Sequence, residues 1–459
     1  MALSGHHVCG VMRRPPGAEY LPVLCAHGVR GNSPAGKRGS TLLSDPVGAG
    51  LRPVIAVVGG KPKILRKAHD LGLGVVYIQY QDEYDSAHWP YVDQALLVDY
   101  ADTERVLPVV RSLYETFPFQ MVMSPWELGL LPAAKIDNEL GLGGNSLETV
   151  ELLLDKSRMR SHLNASGISP VAAEVGRTEQ DLREFARANG LPVVVKPIDE
   201  AGSIGIFLVR DESDLASVVE RFHALGKQID KKDLAGDLDR FLMEEYLDGP
   251  EISVETLSFD GRHVLVGTTD KVCVDSGFVE TGHSQPSRHP ASLLRDVEEL
   301  VLKFLDAVGL RHGPAHTEVK LTSRGPVIIE SHNRVGGDRI HDLTEIAYGI
   351  DMDRYALGSR FGLVEPLQQA PQPVAGAAIR FFTPAPGRVT EVTGAEAIAD
   401  DPALFDLVIS VEPGDEVRPL TWSEDRVGHV VARGATAEEA IANCERLLAA
   451  VHIHTEPIT

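Results

Sequence analysis

Cysteine is scarce in this sequence. Four residues, Cys9, Cys25, Cys273 and Cys444, are spread over 459 positions with no CxxC among them. That spacing argues against a disulfide framework and makes a reducing cytoplasm the expected compartment. No apolar run approaches the roughly 18 residues that a membrane-spanning helix needs. The first residues also lack the apolar core of a secretory signal. Positive charge is in deficit as well, with 44 Lys and Arg against 66 Asp and Glu, a net −22. A chain so acidic has no general basic footprint for nucleic acid. Nucleotides are not excluded, because they need only a local basic pocket.

What is present is ordinary globular material, 43% hydrophobic, long enough for two to four domains at roughly 150 residues each. Residues 1–50 are rich in Gly, Pro, Arg and Ser, show no sustained period, and read as a flexible leader. Two motifs there are decoys. "GNSPAGKR" (31–38) nearly spells a phosphate loop, but Arg38 stands where the magnesium-binding hydroxyl belongs and Pro34 interrupts it. His6, His7, Cys9, Cys25 and His27 fit no common zinc spacing.

From Pro53 onward strands alternate with helices. "PVIAVVGG", "GVVYIQY", "ALLVDY" and "FQMVMS" read as strands, with helices over 61–72, 103–116 and 125–140. This order predicts a parallel sheet with right-handed crossovers over 51–145. Gly59-Gly60 before Lys61 reads either as a phosphate turn or as a tight strand-to-helix turn. Further on, "LPVVVKP" (191–197) is a buried strand carrying Lys196, and "AGSIG" (201–205) is a small-residue turn. A polar stretch, 225–240, reads as a mobile lid connection. Antiparallel strands follow, with Asp260-Gly261 as a hairpin turn. "QQAPQPVAG" (368–376) marks a boundary before a small α+β module over 371–459.

The most informative stretch is "VIIESHNRVGGDR" (327–339). The strands "AHTEVKLT" and "PVIIESH" flank Ser323-Arg324-Gly325. Taken as a three-residue loop with Gly325 left-handed, it sets Thr322 against Pro326, Glu318 against Glu330 and His316 against His332. Opposed carboxylates stand only ~5 Å apart at Cβ and destabilise a sheet. A shared proton or a cation relieves them, and hard oxygen ligands with nearby phosphates suit magnesium. The alternative is an exposed, splayed pair. Lys196 points the same way, because a lysine on a buried strand needs an anion, and "AGSIG" offers backbone N–H groups to phosphates.

In this order the features resemble the ATP-grasp superfamily, from about residue 50 to the carboxy-terminal end. Within it, "GFVETGHSQPS", "ESHNRVGGD" and "PGRVTEV … VEPGDEV … DRVGHVVARGATAEEA" look most like the L-amino acid ligases. The resemblance implies an ATP-grasp domain over 146–370, with a lid lobe at about 156–247 and a large lobe at about 248–370. The fold class expected is therefore α/β and α+β multidomain, with a Rossmann-like domain ahead of the ATP-grasp domain and the small module behind it. By the same resemblance, Lys156, Lys196 and Ser203 hold ATP phosphates, and Glu244, Glu245 and Leu247 form the adenine-reading hinge. Glu251 takes the ribose, Glu318 and Glu330 bind Mg²⁺ or Mn²⁺, and Arg334 stabilises the reacting phosphoryl group together with Lys196. Glu280, His283, Gly337 and Asp338 line the amino-acid pocket. Asp338 has a second reading, as the cap of a helix starting near Ile340. One departure is His332, where many relatives carry Asn; it stands as a metal ligand or as a support for one.

The implied activity is ATP-dependent carboxylate–amine ligation of two amino acids, or of an amino acid and another amine, through an acyl phosphate. The alternatives are a purine-biosynthesis-type ATP-grasp ligase or carboxylase, and a noncatalytic nucleotide-binding protein. Small-molecule amino acids are the expected partners, with no nucleic acid or membrane. A homodimer is compatible with the sequence.

Overall fold

The computed structural model describes residues 10–13, 52–200, 202–225, 238–274 and 278–458. Both leader decoys and residues 226–237 of the expected lid connection lie outside these. The chain divides into two compact units, 1–147 with 357–364 and 148–356 with 365–459.

The first unit is built on a five-stranded sheet of order β1-β4-β3-β2-β5. Its strands are β1 (Gly10–Arg13), β2 (Val54–Val58), β3 (Gly74–Gln79), β4 (Gln94–Leu97) and β5 (Met121–Met123). Strands β2 to β5 are parallel, as their unbroken apolar runs foretold. The leader reading needs correction at one point, because β1 pairs antiparallel with β4 and covers an edge that would otherwise be open. The Gly59-Gly60 turn has φ of 65° and 95°. A Cβ on Gly60 would meet Pro125 Cγ at 2.6 Å, and the Gly60 carbonyl accepts the Tyr77 hydroxyl at 2.6 Å. Packing alone thus accounts for both glycines.

The second unit holds three sheets. A four-stranded sheet of order β6-β9-β7-β8 comprises β6 (Ala173–Gly176), β7 (Val193–Pro197), β8 (Phe207–Val209) and β9 (Phe241–Glu245). An eight-stranded antiparallel sheet runs β14-β13-β10-β11-β12-β15-β19-β17. Its members are β10 (Glu251–Phe259), β11 (Arg262–Cys273), β12 (Glu280–Gln285), β13 (His312–Thr322), β14 (Gly325–His332), β15 (Gly376–Phe381), β17 (Leu404–Ile409) and β19 (Gly428–Gly434). Strands β16 (Gly387–Thr393), β18 (Glu416–Val417) and β20 (His452–Glu456) form the third sheet. Helix Ala291–Ala307 buries Val297, Val301, Phe304 and Leu305 against β10, β13 and β14, giving the large sheet its core.

The small α+β module expected from 371 is joined to the large sheet. Its strands β15, β19 and β17 extend the eight-stranded sheet beyond β12, because β12 and β15 pair directly. Thr436 caps the last helix, Ala437–Ala450, by accepting the Glu439 amide at 3.3 Å.

Candidate active site

Each phosphate-side lysine is held by a local device. Asp155 ends one helix and caps the next, accepting the amides of Ser157 and Arg158 at 2.9 and 3.0 Å. This puts Lys156 at the first helical position, where its ammonium meets Glu330 at 3.0 Å and the Glu200 carbonyl. Lys196 leaves β7 beside β9 and meets Glu244 at 2.6 Å. The other oxygen of Glu244 takes Arg160 Nε at 2.8 Å. Burial alone would raise the Glu244 pKa, but these two cations outweigh it and lower it.

The hairpin sets Glu318 against Glu330 and His316 against His332, though by another route than the three-residue loop. Thr322 pairs with Gly325, so only Ser323 and Arg324 form the loop, and Gly325 (φ 106°) belongs to the strand. A bulge between Val319 and Glu318, opposite Ile328 and Glu330, restores the lost residue of register. Both carboxyls stay ionised. Burial is the largest influence on each and would raise the pKa. Lys271 and His316 nevertheless pull Glu318 down to about 2, and Lys156 and His332 hold Glu330 well below the usual range. His332 Nε2 lies 3.3 Å from Glu330.

Behind this pair, His316 Nδ1 meets the buried Glu255 at 2.7 Å and Nε2 faces Glu318 at 3.5 Å. A Cβ on Gly336 would come within 2.9 Å of His316 Nδ1 and 3.1 Å of Glu255 Oε2. Gly336 therefore makes room for this buried pair. Gly337 has open space around it. Burial disfavours the His316 imidazolium, but Glu255 and Glu318 more than offset it and lift the pKa to about 9. A folded-state value above the ordinary 6.5 contributes stability that is full below pH 6.5 and lost as the pH rises through 9. Across that window the unfolding free energy should fall by about 3 kcal/mol. Chemical denaturation at stepped pH measures this, and His316→Gln should flatten the slope. An unchanged slope in the variant would refute it.

A third lysine was missed in the sequence. Lys271, its side chain 2% exposed, sits among Glu251 at 2.6 Å, Glu318 at 2.6 Å and Glu280 at 3.1 Å. Burial opposes its charge, yet the three carboxylates hold its pKa well above the ordinary value. Their oxygens lie within 4.8 Å of one another, close enough to share one cation. Lys320 also reaches Glu251, at 3.3 Å.

An open cleft gathers Lys156, Lys196, Ser203, Glu244, Glu245, Leu247, Glu251, Glu280, Glu318 and Glu330. Ser203, at φ 61°, donates to the Phe278 carbonyl at 3.1 Å and to Glu280 at 3.2 Å. Glu245 turns its carboxylate toward the Ala172 amide and Arg324, each at 3.1 Å.

The remaining expected residues, His283, His332, Arg334, Gly337 and Asp338, are not part of the cleft lining. Arg334 donates to the Val335 carbonyl at 2.9 Å. The cap reading of Asp338 is corrected. The N-cap of helix Ile340–Tyr348 is Arg339, with no side-chain cap bond. Asp338 instead takes the Arg426 fork at 2.6 and 2.8 Å and His283 Nε2 at 2.9 Å. Arg426, also missed, stacks 3.7 Å over Phe381 and donates to the Glu280 carbonyl at 3.2 Å. It thereby ties Asp338 to the strand that presents both Glu280 and His283.

Three family matches coincide with this geometry. Residues 65–144 match the ATP-grasp N-terminal domain, 189–342 the ATP-grasp domain, and 380–456 the L-amino acid ligase C-terminal domain 2. The chain carries ATP-grasp domains and an L-amino acid ligase C-terminal domain. The resemblance read from the motifs therefore holds. Alanine–anticapsin ligase of Bacillus subtilis (strain 168) is 28% identical over 286 residues, covering 60% of this chain and 59% of that protein. The alignment thus spans under two thirds of that relative's length. Dapdiamide A synthase of Enterobacter agglomerans is 26% identical over 196 residues, 42% of this chain and 45% of that protein. Among solved structures, an L-amino acid ligase from Bacillus licheniformis superposes with TM-score 0.77 at 24% identity, over 88% of this chain and 99% of its own. A phosphoribosylglycinamide synthetase from Anaerococcus prevotii reaches TM-score 0.65 at 18% identity, over 88% and 100%. At these identities the structures establish the ATP-grasp fold. No helix among the described residues is long and apolar enough to cross a membrane.

Proposed function

We propose that this ATP-grasp chain is an ATP-dependent carboxylate–amine ligase that joins two amino acids, or an amino acid and another amine. The observation that carries the reading is the gathering of two ionised carboxylates, Glu318 and Glu330, with the buried lysines Lys156 and Lys196 around one cleft, and of buried Lys271 against Glu318. The donor set fits a hard divalent cation, because the two glutamates supply oxygens and the lysines supply charge for phosphates. Glu318 and Glu330, with His332 steadying Glu330, would hold Mg²⁺ or Mn²⁺, which neutralises charge on the phosphates of the bound nucleotide.

The chain's own groups divide the remaining work. Lys156 and Lys196 bind phosphate oxygens, and the Ser203 turn offers its backbone to them. The strand segment Glu244–Leu247 borders the adenine, and Glu251 the ribose. One substrate's carboxylate oxygen attacks the terminal phosphorus, and ADP leaves. The amine of the second substrate then attacks the acyl carbon and loses a proton, and phosphate leaves with the bonding pair. Arg334 and Lys196 stabilise the charge that develops in these steps. Glu280 and Gly337 border the amino-acid pocket, with the His283–Asp338–Arg426 cluster behind them. The name of one relative, alanine–anticapsin ligase, supports an amino-acid substrate.

Incubating the protein with ATP, Mg²⁺ and pairs of amino acids, then reading phosphate release and product masses, tests the proposal. Amino-acid-dependent phosphate with a matching amide mass is expected. Phosphate release that depends on bicarbonate and no amino acid would favour the carboxylase alternative.

Arg334 offers a narrower check. Arg334→Lys should keep ATP affinity but lose about 100-fold in kcat for amide synthesis, because a point charge cannot replace the guanidinium fork. If Arg334 is only a structural ion partner, the variant loses thermal stability while kcat stays near wild type.

A further inference from the structure

The opposition of Glu318 and Glu330 depends on one extra residue. Outward from the two-residue loop, Thr322 pairs with Gly325 and Val319 with Ile328. Continued without interruption, that ladder would put Ile329 against Glu318. Glu330 would then face Thr317, whose side chain points to the other side of the sheet. The bulge at Ile329 prevents this.

A bulge leaves backbone groups without ladder partners. Because β14 is also the edge strand of its sheet, backbone groups of Ile328 and Ile329 are open to other partners, and side chains from a single segment take them. The Ser169 hydroxyl accepts the Ile328 amide at 2.8 Å. Arg160 Nη2 donates to the carbonyls of Ile328 at 2.7 Å and Ile329 at 3.3 Å. Nη1 donates to the Ser169 carbonyl at 3.2 Å. The remaining side of the fork, Nε, donates to Glu244, which also holds Lys196. Arg160 is only 1% exposed, and these four hydrogen bonds all lie inside the protein.

We propose that Arg160 is a positioning residue for the metal-binding carboxylates, fixing through the Ile328–Ile329 backbone the register that sets Glu330 against Glu318. The proposal rests on the reading that these two glutamates hold a divalent cation. The same guanidinium anchors Glu244, so one buried group sets both the metal side and the Lys196 side of the cleft. Lysine cannot substitute. A single ammonium on a flexible stem does not span two carbonyls of a bulge, a third carbonyl and a carboxylate at once.

The test is Mn²⁺ binding, followed by electron paramagnetic resonance in the presence of a non-hydrolysable ATP analogue. The variants are Arg160→Lys and Ser169→Gly. Ser169 has φ 54°, which glycine adopts freely, so its replacement removes little beyond the hydroxyl. Leu447→Ala, in the core around the last helix, serves as a control for general loss of stability. In Arg160→Lys the Mn²⁺ dissociation constant should rise roughly 10-fold or more, as for other groups that orient metal ligands. Ser169→Gly should follow in the same direction by a smaller factor. Leu447→Ala should bind Mn²⁺ as the wild type does.

Wild-type affinity in the folded variants overturns the proposal. If Arg160→Lys does not fold, Ser169→Gly decides alone. A wild type that binds no Mn²⁺ with nucleotide overturns the metal reading itself. In that case amide hydrogen exchange at Glu330 and Ser331 still reports on the register. Faster exchange in the variants supports the positioning role, and unchanged exchange removes it.

Discussion

Replacing Glu330 by Gln should cut amide formation by about 10²–10³-fold, the scale of losing one preorganised electrostatic group from a reacting site. Gln keeps the size and a hydrogen-bonding oxygen while removing the charge. The side chain faces Lys156 at 3.0 Å and Glu318 across the hairpin, so the neutral variant loses both its salt bridge and its share of a metal site. The fold should persist, because the register rests on backbone pairing and the Ile329 bulge. Circular dichroism and a thermal melt check this. Wild-type enzyme in EDTA should match the variant. Full activity in either preparation would remove the metal-binding role.

Lys271→Met is expected to have the other large effect, and on stability as much as on turnover. The variant leaves Glu251, Glu280 and Glu318 with oxygens within 4.8 Å of each other and no ammonium among them. Breaking a buried ion cluster by removing one partner typically costs about 3–5 kcal/mol. The loss should depend on pH in a definite direction. Without Lys271, carboxyls at this site are easier to protonate in the folded protein than in the unfolded chain. The variant then gains stability relative to wild type as the pH falls toward 5, and loses it toward pH 8. Melting temperatures of both proteins across that range would show a gap that narrows in acid. A gap that stays constant, or no gap at all, contradicts the counter-ion role.

The sequence made some of this arrangement legible and hid the rest for physical reasons. The parallel strands of the first unit announce themselves because both faces of strands such as Val54–Val58 are buried, so the apolar run is unbroken. The pairing of Glu318 with Glu330 was also readable, but it emerged from two offsetting differences. The loop is one residue shorter than Gly325 suggested, and Ile329 is inserted into the strand with no Gly, Pro or Asn beside it to mark a bulge. Lys271 was hidden because its cage comes from three other strands, β10, β12 and β13. Its place opposite Glu251 depends on a further bulge, at the Glu255–Thr256 step of the β10–β11 ladder. Asp338 looked like a helix cap because Asp often is one. What displaced that role was the left-handed backbone of Asp338 and Arg339, φ 51° and 62°, and a guanidinium 88 positions later. Local pattern shows none of these.

The direct pairing of β12 with β15 means that the carboxy-terminal segment cannot be removed as a detachable tail. A chain cut near residue 370 would strip β15, β19 and β17 from the large sheet and leave the β12 backbone as a naked edge. Buried residues of that strand, among them Ser284 and Gln285, would border solvent. Such an edge recruits any free strand it meets. Truncation therefore threatens solubility first, and does so through the strand that carries Glu280.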